Sequence, residues 1–210
     1  MDKKQEILMA AFDIFCEKGY QLSVAELAGA VKIKAPSLYS HFASKDEIIE
    51  LVVRDEIERY YAYLHEWMLK IEGLYCKEAM KNLYNFVIEY FSKDKRLRFW
   101  RAITFIPNQQ LNSLFAQLIS EKDAIFKQKM QRCFLKGKSN GEIRPDVSLG
   151  SLRLYLCMIQ GVLDGMLLYP EELRYKDNAD ELFEAYWEGI CTSVPINMDK
   201  LKITNDFSKE

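Results

Sequence analysis

Residues 24–42 read VAELAGAVKIKAPSLYSHF, and the fold of the whole chain turns on this stretch. Val24, Leu27, Ala28 and Val31 recur at the spacing of one helical face. Ser23-Val-Ala-Glu26 is a capping box, in which hydroxyl and carboxylate each satisfy a free backbone N–H at the helix start. After a short turn, Pro36 falls in the first turn of a second helix, where its missing N–H costs nothing. Leu38 and Phe42 point inward, and Ser44-Lys-Asp-Glu47 is a second capping box opening a long helix. A helix, a tight turn and a short second helix form a helix-turn-helix, whose first member braces the second against the DNA major groove.

The charge pattern agrees. From Leu27 through Lys45 there is no Asp or Glu, while Lys32, Lys34 and Lys45 are basic. The rest of residues 1–50 carries Asp2, Glu6, Asp13, Glu17, Glu26, Asp46, Glu47 and Glu50 against three further lysines. A local acid-free patch is what a phosphate-facing surface requires. It must be local, because the net charge of the 210-residue chain is −2.

Working outward, an amphipathic helix is expected over Lys3–Lys18, capped by Asp2, with Ile7, Leu8, Ala11, Phe12 and Phe15 on one face and Gly19 ending it. The helix opened by Ser44 carries Ile49, Val52, Ile57, Tyr60, Tyr61, Leu64, Met68 and Ile71 on its apolar side. Further helices are read at about 77–91, 95–105 and 111–137, then, after a Gly141- and Pro145-punctuated loop, at about 148–168 and 179–193. With 9 Gly, 5 Pro and abundant Leu, Glu, Lys and Ala, the expected fold class is all-α. It divides into a helix-turn-helix domain over residues 1–47, a larger helical domain over 48–194 and a polar tail over 195–210.

Other chemistries find no support. The five cysteines (Cys16, Cys76, Cys133, Cys157 and Cys191) are scattered and odd in number, against a disulfide framework or zinc site and in keeping with a reducing cytoplasm. Gln160 and Asp164 interrupt the most apolar stretch, so no membrane span is read. No Gly-rich phosphate loop, H-E-x-x-H or G-x-S-x-G occurs, so no enzyme, metal or cofactor is expected. The basic run Lys93–Arg101 reads as a solvated helix face, with Arg98 or Arg101 as alternatives for holding an anionic ligand. Gly161-x-x-x-Gly165 marks a close helix crossing, either internal or between subunits.

The runs AAFDIFCEKGY (10–20), SVAELAGAV (23–31) and SLYSHFASKDEIIELV (37–52) resemble the N-terminal domain of TetR-family transcriptional regulators. Leu38, Tyr39, Phe42 and Lys45 are the most specific part of the match, which covers about residues 3–55. The resemblance implies a homodimeric repressor that binds a palindromic DNA operator and leaves it when a small, largely apolar effector binds the C-terminal core. A helical ligand-binding protein without operator recognition is the alternative, and an activator or corepressor-dependent version stays open. By this resemblance Lys34, Ala35, Pro36, Ser37 and Ser40 face the base edges. Tyr39, His41, Lys45 and Ser23 approach phosphates, with an ordinary surface histidine as the other reading of His41. The family usually has Gly where Lys32 stands, and often where Pro36 stands, so Lys32 is expected to hold a strained backbone.

Tyr63, Trp67, Phe86, Tyr90, Trp100, Phe105 and Tyr155 are candidates for lining the effector cavity. The penultimate helix is apolar on two sides, so it needs cover from its own core and from a partner subunit. Leu152, Leu156, Ile159, Leu163 and Met166, with Phe183, Tyr186 and Trp187 of the last helix, are therefore expected at a four-helix dimer interface.

Overall fold

The computed structural model describes residues 2–92, 95–169 and 179–192. The expected polar tail, Pro170 and Lys93 lie outside these. The described residues form helices α1 (Lys3–Lys18), α2 (Val24–Ala30), α3 (Ala35–Leu38), α4 (Lys45–Lys70), α5 (Cys76–Ser92), α6 (Arg96–Ile103), α7 (Gln109–Ser139), α8 (Gly150–Leu168) and α9 (Ala179–Ile190).

Local chemistry sets most boundaries. Gly19 ends α1 at φ 55°, donating its N–H to the Phe15 carbonyl. The Ser23–Glu26 capping box forms in full. At α4 the Ser44 hydroxyl accepts from Glu47 N, but the Glu47 carboxylate reaches the Ala43 N–H instead of that of Ser44, so the second box is only half formed. Asp2 occupies the N-cap of α1 without a side-chain bond to the helix. Lys32 holds φ 56° in the turn between α2 and α3, the strained backbone expected where the family uses glycine.

Two hydrophobic clusters organise the molecule. One joins α1–α3 and the first half of α4 to Phe99 and Ile103 of α6 and to Leu111 and Phe115 of α7. The other is built from α5, α8, α9, the end of α7 and Leu64 of α4. Helix α4 therefore runs from one cluster into the other. Phe99, fully buried, stacks on Phe12 with centroids 4.8 Å apart and lies 4.9 Å from Phe15, so a side chain of the larger domain completes the head.

Helix α8 is long and apolar enough to cross a membrane by length and composition alone. Here Leu152, Tyr155, Ile159, Val162 and Leu163 bury one side of it in the second cluster. The connection after α7 is less open than its sequence suggests. Arg144 N donates to Ile190 O (3.0 Å), Thr192 N donates to Glu142 O (3.2 Å), and Glu142 Oε2 accepts from Lys77 N (3.2 Å) at the start of α5. Within the subunit no close crossing is made at Gly161, which has open space around its Cα. A Cβ on Gly137 would lie 2.7 Å from that of Cys76, so α5 and α7 touch there.

Candidate nucleic-acid interface

The head presents Lys34, Pro36, Ser37, Tyr39, Ser40 and His41 to solvent, with Ala35 half-buried. Leu38 and Phe42 anchor the short α3 from beneath, both nearly fully buried. Tyr39 is 56% exposed, and its hydroxyl has no partner among the described residues. An aromatic held out from a helix whose neighbours are buried gains little from its own fold, but its O–H is available to an acceptor such as a phosphate oxygen. The Ser40 hydroxyl donates to Ser37 O at 2.7 Å and keeps its lone pairs for a donor.

Two expected phosphate contacts have intramolecular roles. Ser23 Oγ accepts from Glu26 N (3.2 Å) and donates to Glu26 Oε2 (3.0 Å), so its one proton is engaged in the cap rather than offered to DNA. Lys45 Nζ donates to Tyr20 O at 2.9 Å and lies 4.1 Å above the Tyr20 ring. It retains two further N–H donors on a half-exposed ammonium.

The same corner holds a network that the sequence did not disclose. Tyr20 Oη donates to Asp46 Oδ1 (2.8 Å), and Asn108 Nδ2 donates to Asp46 Oδ2 (2.8 Å). The Tyr20 hydroxyl's acidity is lowered, first by that bond and then by burial. Asn108 also caps α7, its Oδ1 accepting from the N–H groups of Gln110 and Leu111. One carboxylate at the first turn of α4 thus fastens the head to the N-terminus of α7.

Farther along α4, Glu56 is 1% exposed. Its Oε1 accepts from Tyr90 Oη (2.9 Å) and Trp100 Nε1 (3.4 Å) and lies 3.4 Å from Arg96 Nε, while Oε2 lies 3.7 Å from Arg59. A buried carboxylate is tolerated because donors and cations surround it. Burial, then the charge of Glu56, pushes the Tyr90 phenol well up. Glu56 ties α4 to α5 and α6, and its spacing from Val52, Val53 and Tyr60 already placed it on the buried stripe of the helix.

The seven candidate cavity aromatics separate. Tyr63, Tyr90, Phe86 and Trp67 form a ribbon, with successive centroids 6.2, 6.2 and 5.4 Å apart, and Trp100 joins it through Tyr60. Tyr155 does not belong to it: it is enclosed in the second cluster with its hydroxyl on Met80 O at 2.7 Å. Phe105, just beyond α6, is 81% exposed and stands apart from the ribbon. A separate groove of about 250 Å³ opens between α4 and α7. Tyr61, Leu64, Met68 and Phe126 form its floor, with His65, Lys122 and Lys129 also lining it. A larger cleft of about 840 Å³ lies between α1 and α4, lined by Leu8, Phe12 and Leu51 and by charges of both signs, among them Asp55, Arg59 and Lys95.

The expected dimer residues need correction. Leu152, Ile159, Leu163, Phe183, Tyr186 and Trp187 are at most 9% exposed and pack within the subunit's own core, and Leu156 and Met166 are half-buried against it. The six buried side chains cannot meet a partner, while Leu156 and Met166 keep part of their surface in solvent. Both apolar stripes of α8, the one through Leu152, Ile159 and Leu163 and the one through Tyr155 and Val162, turn inward, so neither is left for a partner. The solvent-facing side carries Leu154 (61% exposed), Cys157, Gly161 and Leu168, beside Leu182, Ala185 and Gly189 of α9.

Residues 7–52 match the sequence profile of the bacterial regulatory proteins of the tetR family. Over 155 residues, 72% of this chain and 73% of the other, the sequence is 26% identical to the HTH-type transcriptional repressor ComR of Escherichia coli K12. It is 25% identical to the HTH-type transcriptional regulator UidR of the same strain over 193 residues, 90% of this chain and 93% of the other. The fold is similar to that of the transcriptional regulator FadR from Bacillus subtilis in complex with stearoyl-CoA, with a TM-score of 0.66 at 16% identity. The match covers 89% of this chain and 98% of that one.

Proposed function

Because the chain belongs to the TetR family of DNA-binding transcriptional regulators, we propose that it is a cytoplasmic homodimeric repressor, released from a palindromic operator by a small amphipathic effector. The observation that carries the reading is the solvent-facing, acid-free surface of α3, with the unpartnered Tyr39 hydroxyl at its centre. Tyr39 and His41 supply phosphate contacts, and Lys45 adds one through its remaining protons. Lys34, Ala35, Pro36, Ser37 and Ser40 read base edges. The exposed faces of α8 and α9, through Leu154, Leu168 and Leu182, pair with their twins. A two-fold dimer then presents its recognition helices about one DNA turn apart.

The effector enters the groove between α4 and α7. Its apolar floor suits an acyl chain, and Lys129, beside a Lys122 already paired with Glu58 at 2.7 Å, suits an anionic head, the chemistry of the stearoyl-CoA bound to the structurally similar FadR. Occupancy acts on the head because both walls lead there, α4 directly and α7 through Asn108 and Asp46. Binding that favours one spacing of α4 and α7 shifts the population of heads able to straddle the operator.

Fluorescence anisotropy with duplex DNA from upstream of its own gene, backed by selection from a random pool, tests the reading. Tight, salt-sensitive and sequence-dependent binding that Tyr39→Ala abolishes is the expected result, with release on adding a long-chain acyl-CoA. If neither DNA source yields a preferred sequence, the repressor reading fails.

A further inference from the structure

Two cysteines distant in sequence meet where α5 crosses α7. Cys133 Sγ lies 3.7 Å from Cys76 Sγ, and Cys76 Sγ lies 3.8 Å from Met80 Sδ. Cys76 is 3% exposed in the second hydrophobic cluster, whereas Cys133 is half-exposed on the flank of α7. The contact depends on Gly137, one turn farther along α7: any side chain there would collide with Cys76. Of the other cysteines, Cys16 is in the other cluster, Cys157 is on the outer face of α8, and Cys191 follows α9.

The two sulfurs are chemically unequal. The thiol of Cys76 is pushed well up, first by its hydrogen bond with Cys133 and then by burial. The thiol of Cys133 is drawn below its ordinary value, first by its contact with Cys76 and further by Lys136, which outweigh burial and the charge of Glu142. A reachable sulfur with the more acidic thiol of the two, in contact with a buried one, is the arrangement of an attacking cysteine and its resolving partner. Closing the contact to a bond needs an approach of about 1.7 Å between the sulfurs.

We propose that Cys133 and Cys76 form a hydroperoxide-reactive dithiol, in which Cys133 is oxidised first and Cys76 resolves it to a disulfide linking α7 to α5. The Cys133 thiolate attacks one peroxide oxygen, the O–O bond breaks, and the leaving alkoxide or hydroxide takes up a proton. Cys133 becomes a sulfenic acid, having lost two electrons to the peroxide. Cys76 Sγ then attacks the Cys133 sulfur, and the sulfenic hydroxyl departs as water with the Cys76 proton. Two thiols and one hydroperoxide yield one disulfide, one alcohol (or water) and one water.

The test treats the reduced full-length chain with hydrogen peroxide in the presence of dimedone, a sulfenic-acid trap, and maps peptides by mass. The wild type is expected to lose two hydrogens at a Cys76–Cys133 cross-link with little dimedone on either residue. In Cys76→Ser the resolving step is absent, and dimedone capture at Cys133 rises at least about tenfold. In Cys133→Ser, Cys76 stays reduced. Circular dichroism, with Cys76→Ala and Cys133→Ala as apolar alternatives, ensures that only folded chains are compared. Equal dimedone capture at Cys133 in wild type and Cys76→Ser overturns the proposal, as does a reduced Cys133 at peroxide levels that oxidise Cys157.

Discussion

Replacing Tyr39 by Phe removes one hydroxyl and nothing else. Because the ring is 56% exposed and the hydroxyl has no partner among the described residues, folding stability should change by less than about 0.5 kcal/mol. A hydrogen bond to a charged acceptor contributes about 1.5–3 kcal/mol. At so exposed a site water competes for the phosphate, so the lower end applies. A dimer loses the bond twice, about 3 kcal/mol in all, or a roughly 150-fold weaker operator complex. The assay is fluorescence anisotropy across a salt series, beside thermal melts of each variant. The loss should be similar on operator and random duplex, because phosphates carry no sequence information. The salt dependence should hardly move, since no charge is removed. Lys45→Ala is the contrasting variant, reducing the slope of log affinity against log salt by about 2 per dimer, one phosphate contact per subunit. A Tyr39→Phe protein that melts normally and binds operator within about twofold of wild type would refute the assignment of this hydroxyl to a phosphate.

Other substitutions probe the frame behind that face. Phe99→Ala opens a cavity between α6 and the head and should cost about 3–5 kcal/mol, read by chemical denaturation; a loss below about 1 kcal/mol would mean that the head packs without α6. Lys32→Gly should stabilise the fold by up to about 1 kcal/mol by relieving φ 56°, whereas Lys32→Ala should not, and equal melting points for the two would remove the strain argument. Glu56→Ala strips the carboxylate shared by Tyr90, Trp100 and two guanidinium groups, at about 3–5 kcal/mol, while Glu56→Gln should retain part of that stability by still accepting from Tyr90; unfolding midpoints matching wild type in both variants would contradict the network. Leu154→Glu places a charge on the exposed face of α8 and should shift sedimentation from dimer to monomer with the helical content unchanged; an intact dimer would move the interface elsewhere.

How far the sequence could be read depended on whether a feature is local. Ser23 with Glu26, and Gly19, follow from neighbours a few residues apart, the left-handed strain at Lys32 follows from the resemblance to a family with glycine there, and each is found where expected. Burial is different, because helical spacing gives a stripe without saying which stripe faces inward. On α8 the stripes through Leu152, Ile159 and Leu163 and through Tyr155 and Val162 are both buried, because α5 and α9 cover them, and no local pattern encodes the positions of those helices. Tyr155 was lost to the core for the same reason. Polar pairs across long separations were out of reach. Asp46 with Asn108 and Cys76 with Cys133 join residues 62 and 57 positions apart, and each partner alone resembles an ordinary surface or core residue. Glu56 is the instructive middle case. Its place on the stripe of Val52, Val53 and Tyr60 required burial, and a buried carboxylate requires donors. Reading it that way would have pointed to the nearby basic run, from which Arg96 in fact comes. Glu56, which couples α4 to α5 and α6, is a residue whose polarity contradicts its periodic position. Such contradictions, more than the aromatic positions that agree with the pattern, are what to search for in a divergent ligand domain.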